Sequence, residues 1–312
     1  MKIFVAGATG VIGRRLIPML VEAGSEVTAV ARTPAKAKQL EKQGATPVMV
    51  DLFDAPAVKD AVAGHHTVIN MATSIPTGMR TFLPGAFKEN IRIRTEASRN
   101  LANAAIATRA QRFVQESFAP AYPDRADEWI DEDVPIMPSK YVESVAYAEA
   151  AAQSFTKSGG AGVVLRFSLF YGPDSPFTLD MVKSVKKGFA PVFGGGDGFM
   201  SSIWQDDAAA AVFASLKVPA GIYNITDNLP MRRRDAFDLL ANALGVKSPR
   251  IPSLWLTKIA GSLGDTLGRS HRLSNAKFRQ ASGWVPKVPS VREGWRLVVE
   301  ELNKGSAKAA RA

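Results

Sequence analysis

One stretch decides the fold of this chain, Lys2-Ile-Phe-Val-Ala-Gly7-Ala-Thr-Gly10-Val-Ile-Gly13. An apolar run typical of a strand ends in three evenly spaced glycines, and a helical pattern follows from about Val11 to Val21. Gly7 permits a tight strand-to-helix turn, Gly10 lets backbone amides approach a pyrophosphate, and Gly13 lets the helix pack closely on the strand. Because the start of a helix offers free N–H groups and partial positive charge, the stretch predicts a dinucleotide site.

Outward from this turn, short β-branched runs alternate with helical patterns, which is typical of βαβ units and a parallel sheet. The strand runs are apolar without strict alternation, as expected when helices cover both faces of the sheet. The predicted strands are Lys2–Ala6, Glu26–Ala31, Pro47–Val50, Thr67–Asn70, Arg112–Glu116 and Gly162–Arg166. The predicted helices are Val11–Val21, Pro34–Lys42, Pro56–Val62, Ala86–Ile106 and Tyr141–Phe155.

After Arg166 the pattern changes, because glycine and proline become frequent and the helices at Asp206–Leu216 and Arg234–Leu244 stand apart. A late strand at Gly221–Ile225 is placed to return to the sheet. We therefore expect an α/β fold: a doubly wound parallel (Rossmann) sheet with a smaller, interleaved C-terminal substrate-binding lobe. The predicted NAD(P)-binding domain spans 1–166, and 167–312 is mainly substrate-binding lobe, returning to the Rossmann sheet around 202–227.

Composition excludes several classes of protein. The 312 residues are 46% hydrophobic and 22% charged, which excludes a disordered or coiled-coil chain. The chain has no cysteine, which excludes disulfides and thiolate chemistry, and only three histidines, so we expect no metal site. We find no signal peptide and no apolar run long enough to span a membrane, and we expect a cytoplasmic protein.

Charge is unevenly distributed along the chain. Residues 228–312 carry 16 Lys+Arg against 6 Asp+Glu, so of the totals of 39 and 29 the preceding residues hold 23 and 23. A basic lobe suits an anionic partner, but a charge run alone is usually a solvated face. We expect a small-molecule substrate, no nucleic acid and no membrane partner, and a monomer or a homodimer.

In dinucleotide-binding folds the adenosine ribose contacts the residue at the end of the second strand, and a carboxylate at that position would favour NAD. Arg32 stands there instead, and a guanidinium suits a 2′-phosphate, so NADP is favoured, with NAD possible. Arg14 and Lys36 are placed to add positive charge; alternatively Arg32 is an ordinary exposed arginine. Asp51 and Leu52 follow the third strand and are candidates for the adenine side, although Asp51 can equally be a helix cap. The candidates in the glycine turn itself are Gly7, Thr9, Gly10, Val11, Ile12 and Gly13.

With these residues the chain resembles the extended short-chain dehydrogenase/reductase superfamily, and within it the NAD(P)-dependent epimerase/dehydratase family. The resemblance runs from Lys2 to about Trp295 and implies a cofactor-lining turn at Met71, Ala72 and Thr73. It also implies that Asn90 braces the active site. The further matching motifs are Arg166-Phe-Ser-Leu-Phe-Tyr-Gly-Pro173, Ile203-Trp-Gln-Asp-Asp-Ala208, Ile222-Tyr-Asn-Ile-Thr-Asp-Asn228 and Ala281-Ser-Gly-Trp-Val-Pro286.

The family's chemistry uses a serine or threonine, a tyrosine that also contacts the cofactor, and a lysine four residues after the tyrosine. Tyr141 matches the tyrosine, but Val145 stands where the lysine is expected, and no other tyrosine is followed by lysine at that spacing. Counting back from Tyr122, the position of the family's catalytic serine or threonine is occupied by Phe118. Ser117 takes the helper role only if the loop differs from the family's by one residue. A phenol without a cation stays protonated at neutral pH, which suits carbonyl reduction better than alcohol oxidation.

Three hypotheses follow. The first is an atypical NADP(H)-dependent oxidoreductase or isomerase acting on a small carbonyl or hydroxyl compound, with Tyr141 and Ser117 as catalytic residues. The second is a redox-inactive NADP-binding sensor or partner-binding protein. The third is a non-redox lyase or hydrolase that uses Glu116; however, glutamate is seldom buried, so we expect Glu116 to face solvent.

The expected substrate is apolar or aromatic rather than a nucleotide sugar, because the variable lobe is rich in aromatic residues and Trp204 replaces the family's usual histidine. We expect the pocket to be lined by Phe170, Tyr171, Phe177, Phe189, Phe193, Phe199 and Trp204.

Overall fold

The computed structural model describes residues 1–76, 81, 83 and 85–309. The strands are β1 Lys2–Ala6, β2 Glu26–Val30, β3 Thr46–Val48, β4 Thr67–Asn70, β5 Arg112–Phe118, β6 Trp129–Ile130, β7 Ala161–Phe167, β8 Leu169–Tyr171, β9 Phe199–Met200, β10 Ser202–Trp204, β11 Gly221–Ile225, β12 Met231–Arg232 and β13 Arg272–Leu273. The helices are α1 Gly13–Glu22, α2 Pro34–Lys42, α3 Ala55–Val62, α4 Lys88–Arg92, α5 Ser98–Ala107, α6 Ser144–Lys157, α7 Pro176–Lys186, α8 Gln205–Ala214, α9 Arg233–Leu244, α10 Leu254–Ile259, α11 Gly261–Gly268, α12 Ala276–Ser282 and α13 Val291–Ala309.

Seven strands form the central sheet in the order β11-β7-β5-β4-β1-β2-β3, and every pairing is parallel. Successive residues Ile3, Phe4 and Val5 are all fully buried, because helices cover both faces. This double burial explains the unbroken apolar runs in the sequence. The predicted α/β fold with a doubly wound parallel sheet is confirmed.

Strand order reverses at β1, which pairs with β2 on one side and with β4 on the other. In open parallel sheets such a reversal opens a crevice at the carboxyl ends of the strands, where ligands bind. The glycine turn follows β1, and Met71 follows β4. The topology therefore brings these two predicted segments to one crevice.

The three largest apolar clusters of the described residues organise the molecule. One face of the sheet packs on α1 and α8, through side chains such as Leu16, Ile17 and Val212. The other face packs on α3, α5 and α6. A separate cluster that includes Phe237 and Trp295 joins α7, α9 and α13 in the C-terminal lobe. β11 returns from that lobe to the edge of the sheet beside β7, while the predicted division of the chain at residue 166 stays a prediction.

Two predicted helices differ from the structure in ways that affect the site. The predicted helix Ala86–Ile106 is present as α4 and α5, with a π-helical segment, Ile93–Ala97, between them. The helix predicted to begin at Tyr141 begins instead at Ser144. Tyr141 lies in the preceding turn because its backbone N–H donates to the hydroxyl of Ser262 in α11, at 2.7 Å.

Helices α10 and α11 were not predicted, and they bring the C-terminal lobe onto the turn that holds Tyr141. Ser139 Oγ bonds to Thr266 Oγ1, and Ser262 donates to Ser139 at 3.1 Å. Within the described part of the chain, no helix has the length and apolar character needed to cross a bilayer.

Candidate active site

The glycine turn brings β1, β4 and α1 unusually close together. Gly7 has φ +81°, and a Cβ there would lie 2.4 Å from the backbone of Met71. A Cβ at Gly13 would lie 2.3 Å from the carbonyl oxygen of Gly7. Any side chain at these two positions would therefore separate β1, β4 and α1, which only glycine allows to approach so closely.

The turn also offers unused hydrogen-bond donors. Gly10 is exposed, and its N–H donates to the oxygen of Gly7 at 3.0 Å. Among the described residues, the backbone N–H groups of Val11 and Ile12 have no acceptor. The partly buried Thr9 lies beside them. Free amides at the start of α1 are the donors that a phosphate group requires, so the residues of this turn fit a dinucleotide.

Arg32 lies just beyond β2, at the edge of the crevice. Its side chain is 63% exposed, and its Nη1 lies 3.2 Å from Oε1 of Glu89. Lys36 is half-buried in α2, whose first turn is capped by Thr33. Arg14 is engaged elsewhere, since its Nη2 lies 2.6 Å from Asp174 in the C-terminal lobe. The ribose-side roles of Arg32 and Lys36 thus stay predictions, and Arg14 ties α1 to the C-terminal lobe.

Asp51 and Leu52 follow β3 as predicted, but the helix cap is a different residue. Asp51 Oδ1 accepts the N–H of Phe53 at 3.0 Å, which forms a local turn, and Leu52 packs against the sheet. Asp54 is the residue that caps α3, by accepting the N–H of Ala57. Asp51 is exposed, so its carboxylate is accessible for a ligand.

The segment after β4 is held by two asparagines. Asn70 Oδ1 accepts the N–H of Ala72 at 3.1 Å, and Asn90 Oδ1 accepts the N–H of Ser74 at 2.9 Å. Asn90 is 4% exposed. Asn90 thus holds the backbone directly after Met71, Ala72 and Thr73, and the roles that the resemblance implies for these four residues stay predictions.

Tyr141 lies in an apolar environment. Its ring meets that of Phe87 edge to face, with centroids 4.6 Å apart. Among the described residues its hydroxyl has no hydrogen-bond partner. Burial raises the pKa of Tyr141 to about 12, against a smaller opposing effect of the positive charge of Arg94. At neutral pH this phenol is therefore a proton donor and not a base.

Val145 and Phe118 belong to the same apolar cluster as Tyr141. Val145 is fully buried in a cluster with Ala121 and Val142, against which Phe118 and Tyr141 pack. The position of the family's lysine is thus an apolar core position. Phe118, which counting placed at the position of the family's catalytic serine or threonine, lies in the same cluster as Tyr141.

Ser117 points into a different, polar interior. It is fully buried, and its hydroxyl donates to Oε1 of Glu149 at 2.6 Å. Glu149 is bound through both carboxylate oxygens by Arg166, and Arg166 also donates to the hydroxyl of Tyr122 at 2.7 Å. The helper role expected of Ser117 stays a prediction, and its hydrogen bond to Glu149 weighs against it.

Glu116 corrects one expectation. We expected this side chain to face solvent, but it is 6% exposed and lies 2.8 Å from Nη2 of Arg94, which is itself 3% exposed. The expectation failed because the partner, 22 residues earlier in the chain, neutralises the buried charge. No local pattern in the sequence pairs these two residues.

The aromatic residues of the lobe are distributed differently from the expectation. Tyr171 and Trp204 are buried in the lobe core, where Tyr171 meets Trp204 and Trp295 at 5.4 and 5.1 Å between ring centroids. Phe118 and Phe87 are the aromatic side chains that contact the Tyr141 region. Among the described residues there is no group of three or more His, Cys, Asp or Glu side chains suited to a metal ion.

Known proteins resemble this chain along its length. Residues 3–226 match the family described as "NAD dependent epimerase/dehydratase family". A "3-diazoavenalumate denitrifying reductase" from a Streptomyces species is 32% identical, over 94% of this chain and 99% of its own length. A "2-alkyl-3-oxoalkanoate reductase" from Stenotrophomonas maltophilia is 26% identical, over 95% and 98% of the two chains.

Solved structures share the fold. A UDP-glucose 4-epimerase from Thermotoga maritima, with UDP-glucose, superposes with a TM-score of 0.79 at 22% identity, covering 98% of this chain and 100% of its own. A human epimerase family protein with NADPH has a TM-score of 0.78 at 21% identity, covering 96% and 99%.

Proposed function

The chain belongs to the NAD dependent epimerase/dehydratase family, and from that premise we propose that it is an NADPH-dependent reductase of a small carbonyl compound with an apolar or aromatic body. The observation that carries the proposal is Tyr141, a phenol without a hydrogen-bond partner among the described residues, held protonated in an apolar site. The names of two relatives, both reductases, agree with this direction of chemistry.

The cofactor would be held by the glycine turn and the segments around it. The amides of Val11 and Ile12 would bind the pyrophosphate, and Arg32 would bind the 2′-phosphate that distinguishes NADP from NAD. Met71, Ala72 and Thr73 would line the nicotinamide side, with Asn70 fixing the N–H of Ala72 and Asn90 that of Ser74. When bound, the reduced nicotinamide supplies a hydride to the carbonyl carbon.

Tyr141 would perform the other half of the reaction. Its hydroxyl donates a hydrogen bond to the carbonyl oxygen and releases its proton to that oxygen as the C–O bond becomes single, so that the product is an alcohol. Since the pKa of Tyr141 is raised to about 12, the proton is present at every physiological pH. The same high pKa makes the reverse oxidation slow, because it needs the phenolate as base.

Substrate selection would follow from the rings around the phenol. Phe87 and Phe118 offer apolar surface on two sides of Tyr141. The exposed Trp255 and Ile259 of α10 add apolar surface on the helical hairpin whose α11 binds the Tyr141 backbone. These contacts favour an apolar or aromatic ketone or aldehyde over a nucleotide sugar.

The test is NADPH oxidation against a panel of aromatic and aliphatic ketones, aldehydes and enones, with a UDP-sugar as comparison. We expect Tyr141→Phe to lower kcat by about 10²-fold or more, the ordinary contribution of a positioned acid. The matched control is Tyr147→Phe, because Tyr147 is 61% exposed on α6 and should leave kcat unchanged. Equal rates in wild type and Tyr141→Phe would remove Tyr141 from the mechanism.

A second candidate is an NADP-binding sensor without turnover, which the buried Val145 and the hydrogen-bonded Ser117 favour. Calorimetric titration with NADPH and NADP separates the two: a sensor binds and distinguishes the two redox forms but turns over no member of the panel. A lyase or hydrolase that uses Glu116 is the third candidate. Activity retained in Glu116→Gln would dispose of it.

A further inference from the structure

The strongest unexplained feature of the site is the ion pair between Arg94 and Glu116. Both side chains are more than nine-tenths buried, yet they share one contact, at 2.8 Å. Among the described residues, Arg94 Nε and Glu116 Oε2 have no hydrogen-bond partner. A buried pair with unsatisfied atoms contributes little to the stability of a fold, and unsatisfied buried groups call for an explanation, of which a functional role is one.

The pair is connected to the Tyr141 region through Phe118. The guanidinium carbon of Arg94 is 6.0 Å from the centre of the Phe118 ring, and Phe118 packs in the cluster that holds Tyr141 and Val145. Arg94 belongs to the π-helical segment Ile93–Ala97, where one extra residue per turn changes the direction of the side chains. π-Helical turns of this kind occur frequently at functional sites.

Charge at this position would assist Tyr141. As the phenol loses its proton, negative charge develops on its oxygen, and a nearby cation stabilises that charge. Burial raises the pKa of Tyr141. Among the described residues, the positive charge of Arg94 is the one that opposes this rise.

The other charged groups near Tyr141 are placed differently. Lys140 and Glu143, in its own segment, are exposed to solvent. Asp265 of α11 is paired with Arg269 at 2.7 Å. The remaining charge is that of Glu116, whose Oε1 lies 2.8 Å from Nη2 of Arg94 and holds that side chain in place.

We propose that Arg94, held in place by Glu116, supplies Tyr141 with a positive charge. In the family pattern that charge comes from a lysine, at the position that Val145 occupies in this chain. Arg94 is on this proposal a positioning residue, because it acts on the substrate only through the Tyr141 oxygen. The inference rests on the proposed reductase function for its role in turnover, while the electrostatic coupling itself is testable without a substrate.

The first experiment measures the coupling directly. Tyr141 is replaced by 3,5-difluorotyrosine, whose phenol is more acidic than that of tyrosine, and the ¹⁹F resonance is followed against pH in the protein without cofactor. In the paired variant Arg94→Gln/Glu116→Gln, which removes both charges together, we expect the midpoint to rise by about one pH unit, a tenfold weaker acid. Arg94→Lys, which keeps the cation, should leave the midpoint near that of the parent.

The matched control is the exposed pair Arg92–Glu96 on the neighbouring turn, 3.0 Å apart. Arg92→Gln/Glu96→Gln should not move the midpoint, because solvent screens these charges. Circular dichroism and NADPH titration confirm that each variant is folded. An unchanged midpoint in the folded Arg94→Gln/Glu116→Gln variant overturns the proposal.

The second experiment is a double-mutant cycle in turnover. If Arg94 acts through Tyr141, then Arg94→Gln/Glu116→Gln lowers kcat about tenfold in the parent and has no further effect in the Tyr141→Phe background. A structural role would lower kcat equally in both backgrounds, and that result contradicts the inference. Should no substrate be turned over, the reductase function fails while the ¹⁹F midpoint still decides the coupling.

Discussion

On the proposed function, the choice between NADP and NAD depends on one exposed guanidinium. Arg32 lies beyond β2, with its Nη1 3.2 Å from Oε1 of Glu89. The Glu89 carboxylate orients the guanidinium of Arg32 but would also compete with a phosphate for it. Sequence alone placed this arginine directly after the second strand, and its role at a 2′-phosphate stays a prediction. The Glu89 contact was invisible to sequence, since 57 residues separate the two.

The first prediction concerns this residue. Arg32→Ser should weaken NADPH binding by roughly 10- to 100-fold, since a charge-assisted hydrogen bond contributes about 1.5–3 kcal/mol, and should leave NADH binding unchanged. Calorimetric titration with the two cofactors measures both. The control is Lys38→Ser, an exposed cation on α2. Equal losses for NADPH and NADH would show that Arg32 does not read the 2′-phosphate.

Val145 permits a second prediction at the same scale. Restoring the family's residue with Val145→Lys would bury an ammonium group in the cluster of Ala121 and Val142. We expect the free energy of unfolding to fall by about 2–4 kcal/mol, with no gain in NADPH oxidation. Urea denaturation measures the first and the carbonyl panel the second. Val145→Met is the matched control, and a faster, stable Val145→Lys protein would show that the site still accommodates a lysine.

At the scale of elements, the sequence predicted what repeats locally and missed what depends on distant partners. The central strands and the helices around them follow from runs of apolar residues, and β1 and β4 match their predicted bounds. The start of α6 was wrong because Ser262, 121 residues away, binds the N–H of Tyr141. Helices α10 and α11 were missed because α10 has only six residues and α11 contains three glycines and a serine, which weaken its helical pattern.

A third prediction tests how β5 is joined to α6. Ser117→Ala removes the buried hydrogen bond to Glu149, which should lower the free energy of unfolding by about 1–2 kcal/mol and leave kcat for carbonyl reduction unchanged. The control Ser154→Ala, at an exposed position of α6, should change neither quantity. Loss of kcat without loss of stability in Ser117→Ala would restore Ser117 to the catalytic machinery.

At the scale of the whole molecule, His271 connects the C-terminal lobe to the Rossmann sheet. Its backbone N–H donates to Phe199 at the start of β9, and its carbonyl oxygen accepts the hydroxyl of Ser201. Its Nε2 donates to the carbonyl oxygen of Tyr122, which follows β5, at 3.1 Å. The side chain is 7% exposed, so a proton added to it would have to be accommodated inside the junction between the two parts.

Burial is the main cause that lowers the pKa of His271 from 6.5 to about 4, and the charges of Arg269 and Arg233 lower it further. The unfolded chain therefore binds this proton more tightly than the folded one, and folding loses free energy as pH falls through the window from about 6.5 to about 4. The loss from this one group amounts to about 3 kcal/mol across the window. Above the unfolded pKa the group is neutral in both states and has no effect on the pH dependence.

The last prediction concerns how the free energy of unfolding falls as the pH is lowered. We expect His271→Gln, whose side-chain amide can still donate to Tyr122, to be somewhat less stable than wild type at neutral pH but to lose less stability on acidification. Urea denaturation across the window measures the difference between the two slopes, in which the titration of the carboxylates largely cancels. His66→Gln, at an exposed position, should keep the wild-type slope. Parallel curves for wild type and His271→Gln would mean that the junction already admits a charged imidazole, so that protonation of His271 is not what weakens the contact between lobe and sheet.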